Sequence, residues 1–177
     1  MADIRRISIR RKTLLVLCGT AGCGKSTFAA RRFLPTQVVS SDACRAMICD
    51  DETNQYVNGK TFDLFHYIID LRLQLRRFTV ADSTALRPFA RRRLLEQAHR
   101  CGYSACLLIF NVSLETCLER DSQRPRSVGK RVVQNQFELL QKALIEAPNE
   151  GWDELYVLDE SEVEVAEIEI INASGAK

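Results

Sequence analysis

One segment near the amino terminus constrains the fold of this chain more than any other. Residues 19–26 read Gly-Thr-Ala-Gly-Cys-Gly-Lys-Ser, a complete G-x-x-x-x-G-K-[ST] pattern. The apolar run 14–18 precedes this pattern, and the residues after Ser26 favour a helix. Glycines between a buried strand and a helix let backbone N–H groups surround a phosphate at the positive end of the helix dipole. The segment therefore predicts a binding site for a nucleoside triphosphate.

Several positions of this phosphate-binding loop have an expected role. We expect Lys25 to reach the β- and γ-phosphate oxygens, and the Ser26 hydroxyl to be a ligand of Mg²⁺. Further contacts to the triphosphate of ATP or another NTP are expected from the loop and the first helical turn, at Gly22, Cys23, Gly24 and Thr27. A chance match in a glycine-rich turn would rarely bring both the flanking strand and the flanking helix.

Composition and cysteine use limit the class of protein. The chain has 177 residues, of which 46% are hydrophobic and 27% charged, as is typical of one globular domain. No apolar run approaches the roughly 20 residues of a membrane helix, and the amino terminus lacks the apolar segment of a secretory signal. We therefore expect a cytoplasmic protein without membrane contact. The seven cysteines form no C-x-x-C pair, which argues against a disulfide framework and a zinc site.

The rest of the chain alternates strand and helix patterns, which is typical of an α/β fold with a central parallel sheet flanked by helices. Five strands are expected, at about residues 14–18, 37–40, 78–82, 104–110 and 155–158. Helices are expected at about residues 25–33, 42–49, 60–77, 88–101, 114–122 and 131–146. We predict one domain over residues 1–177, in which 160–171 is either strand or helix and 172–177 is a disordered tail.

A polar segment rich in helix breakers is expected to act as a mobile lid. It reads Gln-Arg-Pro-Arg-Ser-Val-Gly over residues 123–129, and its proline disfavours helix at the residue before it. The preceding helix presents Arg120, with Arg124 one turn further on. Closure of a lid over residues 120–131 would bring both guanidiniums to the transferring phosphoryl group. The alternative is a pair of exposed arginines at the carboxyl end of a helix.

Residues that follow the second and third strands are candidates for the acceptor side of the site, because the carboxyl ends of parallel strands form one ligand-binding edge. In Ser-Ser-Asp-Ala-Cys-Arg, residues 40–45, Asp42 and Arg45 would share one helix face as a base and a phosphate-binding fork. Equally, Asp42 is a suitable helix N-cap beside a solvated Arg45. Asp82 follows the third strand and could hold a water on Mg²⁺ or cap the next turn.

Five segments in this order resemble the kinase domain of bacterial polynucleotide 5′-hydroxyl kinase, the end-healing component of RNA repair enzymes. They are GTAGCGKSTFA, SSDACR, FDLFHYIIDLRL, TVADST and FNVSLETCLERDSQRPR, and they extend over nearly the whole chain. The resemblance implies the P-loop kinase fold and Mg²⁺-dependent transfer of the γ-phosphate of ATP or another NTP to the 5′-OH end of an RNA or DNA oligonucleotide. The chain departs from the family at Ala85, where the family usually has asparagine.

The resemblance also implies roles for residues of this chain. Asp42 matches the general base for the 5′-OH, Arg45 the contact to the first internucleotide phosphate, and Arg120 and Arg124 the lid arginines that hold the triphosphate. Lys25, Asp42 and Arg120 would then be the catalytic residues. Two other classes remain open. One is a kinase of a small metabolite or a nucleotide sugar on the same fold, and the other is a non-catalytic NTP-binding protein.

Overall fold

A five-stranded parallel sheet forms the centre of the computed structural model, which describes residues 5–172. In spatial order its strands are β3 (Val38–Ser40), β4 (Thr79–Asp82), β2 (Thr13–Cys18), β5 (Ser104–Asn111) and β6 (Glu154–Asp159). The sheet confirms the α/β fold and the five strands predicted from the sequence. The tail expected over residues 172–177 lies outside the described residues, apart from Asn172.

The central strand β2 is buried along its whole length. It pairs in parallel with β4 and with β5, so that Leu15 lies opposite both Val80 and Cys106. Leu14 and Leu15 are fully buried in two different hydrophobic clusters, one on each face of the sheet. A strand that is apolar at nearly every position is what a parallel sheet with helices on both faces requires.

Six helices lie where the sequence predicts them, with bounds that differ from expectation by about three residues or fewer. They are α1 (Lys25–Arg32), α2 (Ser41–Cys49), α3 (Asn58–Gln74), α4 (Pro88–Arg100), α5 (Leu114–Ser122) and α6 (Lys130–Glu146). The largest difference is at the end of α3. There Arg76 adopts a φ of 57°, and the N–H of Arg77 donates to the carbonyl oxygen of Arg72 at 2.9 Å. This left-handed capping arrangement ends α3 three residues before the predicted position.

A second, two-stranded sheet has no counterpart in the sequence-based prediction. β1 (Arg6–Arg10) pairs in parallel with β7 (Glu167–Ile171). Ile7 and Ile9 of β1 are buried in the same hydrophobic cluster as Leu15, while the alternate residues Arg6, Ser8 and Arg10 are exposed. The two-stranded sheet therefore extends one face of the core.

The ambiguous segment 160–171 contains both elements that were considered for it, a helix and then a strand. The helix, α7 (Glu160–Val165), begins at a capping box in which Asp159 accepts from the N–H of Glu162 at 3.0 Å and Glu162 accepts from the N–H of Asp159 at 2.9 Å. The strand β7 follows after Ala166.

A fully buried arginine joins α4 to the end of α6. Arg91 donates to Glu150 through Nε and Nη2, at 2.9 and 2.6 Å, and its Nη2 also lies 3.3 Å from Glu146. Its Nη1 donates to the carbonyl oxygens of Ala85 and Leu86 at 3.3 and 2.6 Å. Ala85 adopts a φ of 47°, which is unusual for alanine. Arg91 therefore helps to hold the turn between β4 and α4 in its left-handed conformation.

We predict that Arg91→Ala lowers the free energy of unfolding by about 3–5 kcal/mol, because Glu150 and two carbonyl oxygens lose their buried partner. Chemical denaturation followed by circular dichroism measures the change. Arg93→Ala is the control, since Arg93 lies exposed on the same helix and should change stability by about 0.5 kcal/mol or less. A loss below about 1 kcal/mol for Arg91→Ala would contradict the structural role given to this residue.

Candidate active site

The phosphate-binding loop connects β2 to α1 and packs directly against α5. Gly22 and Gly24 have φ values of +82° and +97°, which side chains rarely allow. A Cβ atom added to Gly22 would lie 2.3 Å from the carbonyl oxygen of Cys117 in α5. The loop therefore needs glycine at position 22, and it is fixed against the helix that carries Arg120.

Lys25 is buried and folded over the loop. Its Nζ donates to the carbonyl oxygens of Gly19 and Thr20 at 2.7 and 2.9 Å, and to the Sγ of Cys23 at 3.4 Å. Cys23 is itself fully buried. An ammonium group has three donors, and loop atoms accept from it at three positions. To bind a phosphate, Lys25 has to exchange these acceptors for phosphate oxygens.

Ser26 and Asp82 meet between the loop and the end of β4. The Oγ of Ser26 donates to Oδ2 of Asp82 at 2.9 Å, so Asp82 contacts the phosphate-binding loop and not the turn that follows β4. Burial raises the pKa of Asp82, and the charge of Lys25 and the Ser26 hydrogen bond oppose this effect. A hydroxyl and a carboxylate this close together are oxygen ligands of the kind that Mg²⁺ prefers. The two side chains therefore fit the ion implied by the resemblance.

Asp42 lies on the first turn of α2, directly after β3. The N-cap of this helix is Ser40, whose Oγ accepts from the N–H of Ala43 at 3.3 Å, so the alternative of Asp42 as the cap is wrong. The Asp42 side chain is 68% exposed and pairs with Nη1 of Arg45 at 2.6 Å. Its charge contributes to the raised pKa of Asp82, although less than burial does. Asp42 is thus a solvent-facing carboxylate whose charge reaches Asp82.

Arg45 is only 4% exposed, so the alternative of a solvated side chain is also wrong. Besides Asp42, it binds the carbonyl oxygen of Glu52 through Nη1 at 2.8 Å and Oδ1 of Asn58 through Nη2 at 2.9 Å. Its buried Nε has no hydrogen-bond partner within the described part of the chain. Arg45 therefore holds Asp42 and both ends of the segment 52–58 at once.

The segment expected to form the lid is anchored by a buried carboxylate. Asp121 accepts from the Ser127 hydroxyl at 2.5 Å, and from the N–H groups of Val128 and Gly129 at 3.2 Å each. At the centre of the segment 123–129, Nη1 of Arg126 pairs with Oε1 of Glu52 at 3.0 Å. Movement of this segment as a lid stays a prediction, and these contacts are the ones that such movement would change.

A cavity of about 350 Å³ lies between the phosphate-binding loop, α1, the segment 123–129 and α7. Arg120 and Arg124 both line it, together with Gly22, Gly24 and Thr27. Arg120 and Arg124 therefore line the same cavity as the phosphate-binding loop. Asp42 and Arg45 do not line this cavity.

Helix α7 supplies cavity residues that the sequence analysis does not find. Val163 and Glu164 line the cavity, and Glu164 pairs with Arg31 at 2.9 Å and with Arg120 at 3.8 Å. The capping box at the start of α7 is the sequence signal that could have located this helix. Glu164 therefore places a negative charge 3.8 Å from Arg120 at the wall of the cavity.

No three His, Cys, Asp or Glu side chains within residues 5–172 are grouped as a metal centre of their own. No helix in the same range is long and apolar enough to cross a lipid bilayer. The seven cysteines are free thiols, and burial raises the pKa of Cys18 and of Cys117 to about 12.

We predict that Gly22→Ala weakens nucleotide binding by about tenfold or more, because the left-handed conformation and the contact with Cys117 both oppose a methyl group. Titration with a fluorescent ATP analogue measures the affinity. Gly59→Ala is the matched control, since an added Cβ there meets no atom within 4 Å and alanine favours the helix α3. Equal affinities of Gly22→Ala and the unmodified chain would contradict the assignment of this loop.

A protein-family model described as an AAA domain matches residues 14–148 of the chain, from β2 to the end of α6. No curated protein sequence is significantly similar to the chain.

Solved structures share the fold at low sequence identity. A chain of the Pnkp1/Rnl/Hen1 RNA repair complex matches with a TM-score of 0.67 and 20% identity, over 77% of this chain and 46% of that chain. A gluconokinase from Sinorhizobium meliloti 1021 matches with a TM-score of 0.54 and 20% identity, over 88% of both chains. A structure of the PezAT toxin-antitoxin system of Streptococcus pneumoniae matches with a TM-score of 0.59 and 11% identity, over 91% of this chain and 72% of that chain. The chain spans less than half of the repair-complex chain. The likeness confirms the P-loop kinase fold.

Proposed function

The chain belongs to the AAA domain family and has the fold of P-loop kinases, and from this premise we propose that it transfers the γ-phosphate of ATP or another NTP to the 5′-OH end of an RNA or DNA oligonucleotide. One observation carries the proposal. The exposed carboxylate of Asp42, paired with Arg45, follows directly after β3, whose last residue Ser40 lies opposite Asp82 in the neighbouring strand β4. A carboxylate in this position can accept the proton of an incoming hydroxyl.

The nucleotide half of the site supports phosphoryl transfer. Lys25, Arg120 and Arg124 bring three positive charges to the loop, whose N–H groups are expected to hold the β-phosphate. Phosphoryl transfer depends mainly on alignment and on stabilisation of charge on the transferring group. When bound at Ser26 and Asp82, Mg²⁺ would neutralise part of the phosphate charge. Closure of residues 120–131 would exclude water, which competes with the acceptor.

On the acceptor side of the site, we assign two roles to the ion pair of Asp42 and Arg45. Asp42 takes the proton of the 5′-OH as the hydroxyl oxygen bonds to the γ-phosphorus, and the bond from that phosphorus to the bridging oxygen breaks, so that the nucleoside diphosphate leaves. Arg45 fixes the Asp42 carboxylate for this step. We also assign to Arg45 the contact with the first internucleotide phosphate. That contact would replace one of its present acceptors, the carbonyl oxygen of Glu52 or the side chain of Asn58.

Transfer to a small metabolite is the second candidate, because the likeness to the gluconokinase extends over 88% of both chains. The two functions differ in their dependence on acceptor length. A kinase that binds an internucleotide phosphate phosphorylates an acceptor faster when the acceptor contains that phosphate. The rate of a metabolite kinase does not depend on it.

The deciding experiment supplies the chain with labelled ATP, Mg²⁺ and 5′-OH acceptors of increasing length, from a mononucleoside to a long oligonucleotide, with gluconate in parallel. We expect transfer to the oligonucleotides and a rise in rate between the mononucleoside and the dinucleotide. Equal rates on all nucleoside acceptors, or transfer to gluconate, would support a metabolite kinase. Nucleotide binding without transfer to any acceptor would support a non-catalytic NTP-binding protein.

We predict that Asp42→Asn lowers the rate constant of transfer by about 10²- to 10⁴-fold, the contribution of a general base. The affinity for ATP should stay within about twofold, because Asp42 does not line the nucleotide cavity. Asp63→Asn is the matched control, since Asp63 is an exposed aspartate on α3, away from the segment 50–57 and from the residues that line the nucleotide cavity. A near-normal rate for Asp42→Asn would remove Asp42 from the mechanism.

A further inference from the structure

The segment between α2 and α3, residues 50–57, is fixed to the residue proposed as general base. We call it the acceptor loop. Arg45 binds Asp42 and the carbonyl oxygen of Glu52 through one nitrogen, Nη1, at 2.6 and 2.8 Å. Through Nη2 it binds Asn58, at the point where the acceptor loop joins α3. One buried guanidinium therefore sets the position of Asp42 and of this loop together.

The other side of the acceptor loop contacts the segment expected to form the lid. Nη1 of Arg126, in the middle of the segment 123–129, pairs with Oε1 of Glu52 at 3.0 Å. The acceptor loop therefore lies between the Asp42–Arg45 ion pair and residues 123–129. An acceptor whose hydroxyl reaches Asp42 is expected to lie beside this loop.

Tyr56 is presented to solvent from this loop on a fixed backbone. Its side chain is fully exposed, and its N–H donates to Oδ1 of Asn54 at 3.0 Å at the start of a single 3-10 turn. The neighbouring Gln55 accepts from Nδ2 of Asn58 at 2.9 Å, and Asn58 is the residue held by Arg45. An aromatic ring that is exposed while its support is ordered is suited to contact a ligand.

The charge of the acceptor loop decides which part of an oligonucleotide fits it. Asp50, Asp51 and Glu52 are consecutive acidic residues. Arg126 pairs with Glu52, whereas Asp50 and Asp51 are exposed, and their charges disfavour the sugar-phosphate backbone at this part of the loop. The face of an unpaired base is uncharged, and stacking of a base on tyrosine depends little on the identity of that base. Contact through a base is therefore the mode that the loop favours.

We propose that Tyr56 stacks on an unpaired base next to the 5′-OH end of the acceptor strand. This inference rests on the proposed function and adds a binding residue for single-stranded ends. Loss of one such stacking contact weakens binding by about 5- to 150-fold. Tyr56 does not line the nucleotide cavity, so the loss should raise the KM for the oligonucleotide and leave the rate at saturation unchanged.

The test compares Tyr56→Ala, Tyr56→Phe and Tyr67→Ala on two single-stranded 5′-OH oligonucleotides, one ordinary and one with abasic sites at its first positions. Tyr67 is the matched control, because it is 61% exposed on α3 and lies outside the acceptor loop. We expect Tyr56→Ala to raise the KM for the ordinary oligonucleotide by about 5- to 150-fold, with the KM for ATP unchanged. Tyr56→Phe and Tyr67→Ala should behave as the unmodified chain. On the abasic oligonucleotide, Tyr56→Ala and the unmodified chain should have equal KM values.

A second readout does not depend on turnover. With 2-aminopurine as the terminal base and a non-hydrolysable ATP analogue bound, we expect fluorescence quenching by the unmodified chain and by Tyr56→Phe, and none by Tyr56→Ala. An unchanged KM for Tyr56→Ala, or an equal increase on the abasic oligonucleotide, would overturn the stacking role while leaving the proposed function in place. If the unmodified chain phosphorylates no oligonucleotide, the proposed function fails first and this inference fails with it.

Discussion

The close approach between the phosphate-binding loop and α5 is the constraint on which the rest of the site depends. Because Gly22 leaves no room for a side chain against the carbonyl oxygen of Cys117, the loop and α5 form one closely packed unit. That unit fixes the distance between the loop N–H groups and Arg120, which lies one turn further along α5. The same loop fixes Ser26 against Asp82 at the end of β4. The alignment of these groups around a phosphate therefore depends on the absence of a side chain at Gly22.

Two buried arginines, Arg91 and Arg45, hold further segments in place near the carboxyl ends of the strands. Arg91 binds the turn that follows Asp82 and connects it to Glu150 after α6. Arg45 binds Asp42 and the acceptor loop. In both cases a planar group with five donors joins at least one backbone carbonyl oxygen to a carboxylate, which a lysine could not do with the same geometry. The arginines serve as connectors between segments that are distant in sequence.

Local patterns predict most of the fold, and long-range contacts account for what they do not predict. The strand β2 is visible because nearly all its residues are apolar, and α5 because Ser113 caps it. The strand β1 is hidden because arginine and serine alternate with its two buried isoleucines, and its partner β7 lies at the other end of the chain. The phosphate-binding loop and the candidate residues Asp42, Arg120 and Arg124 follow from motifs. The burial of Arg45 does not, because its acceptors Glu52 and Asn58 are brought to it only by the packing of α3 on α2.

The parallel pairing of β1 with β7 has a consequence for biosynthesis. The pair Arg6 and Glu167 is separated by 161 positions, so β1 leaves the ribosome long before its only strand partner among the described residues is made. Since chains emerge at about 5–20 residues per second, Ile7 and Ile9 remain uncovered by β7 for roughly 10–30 seconds. During translation the exposed edge of β1 is therefore a site where chaperones, or the edges of neighbouring nascent chains, can bind.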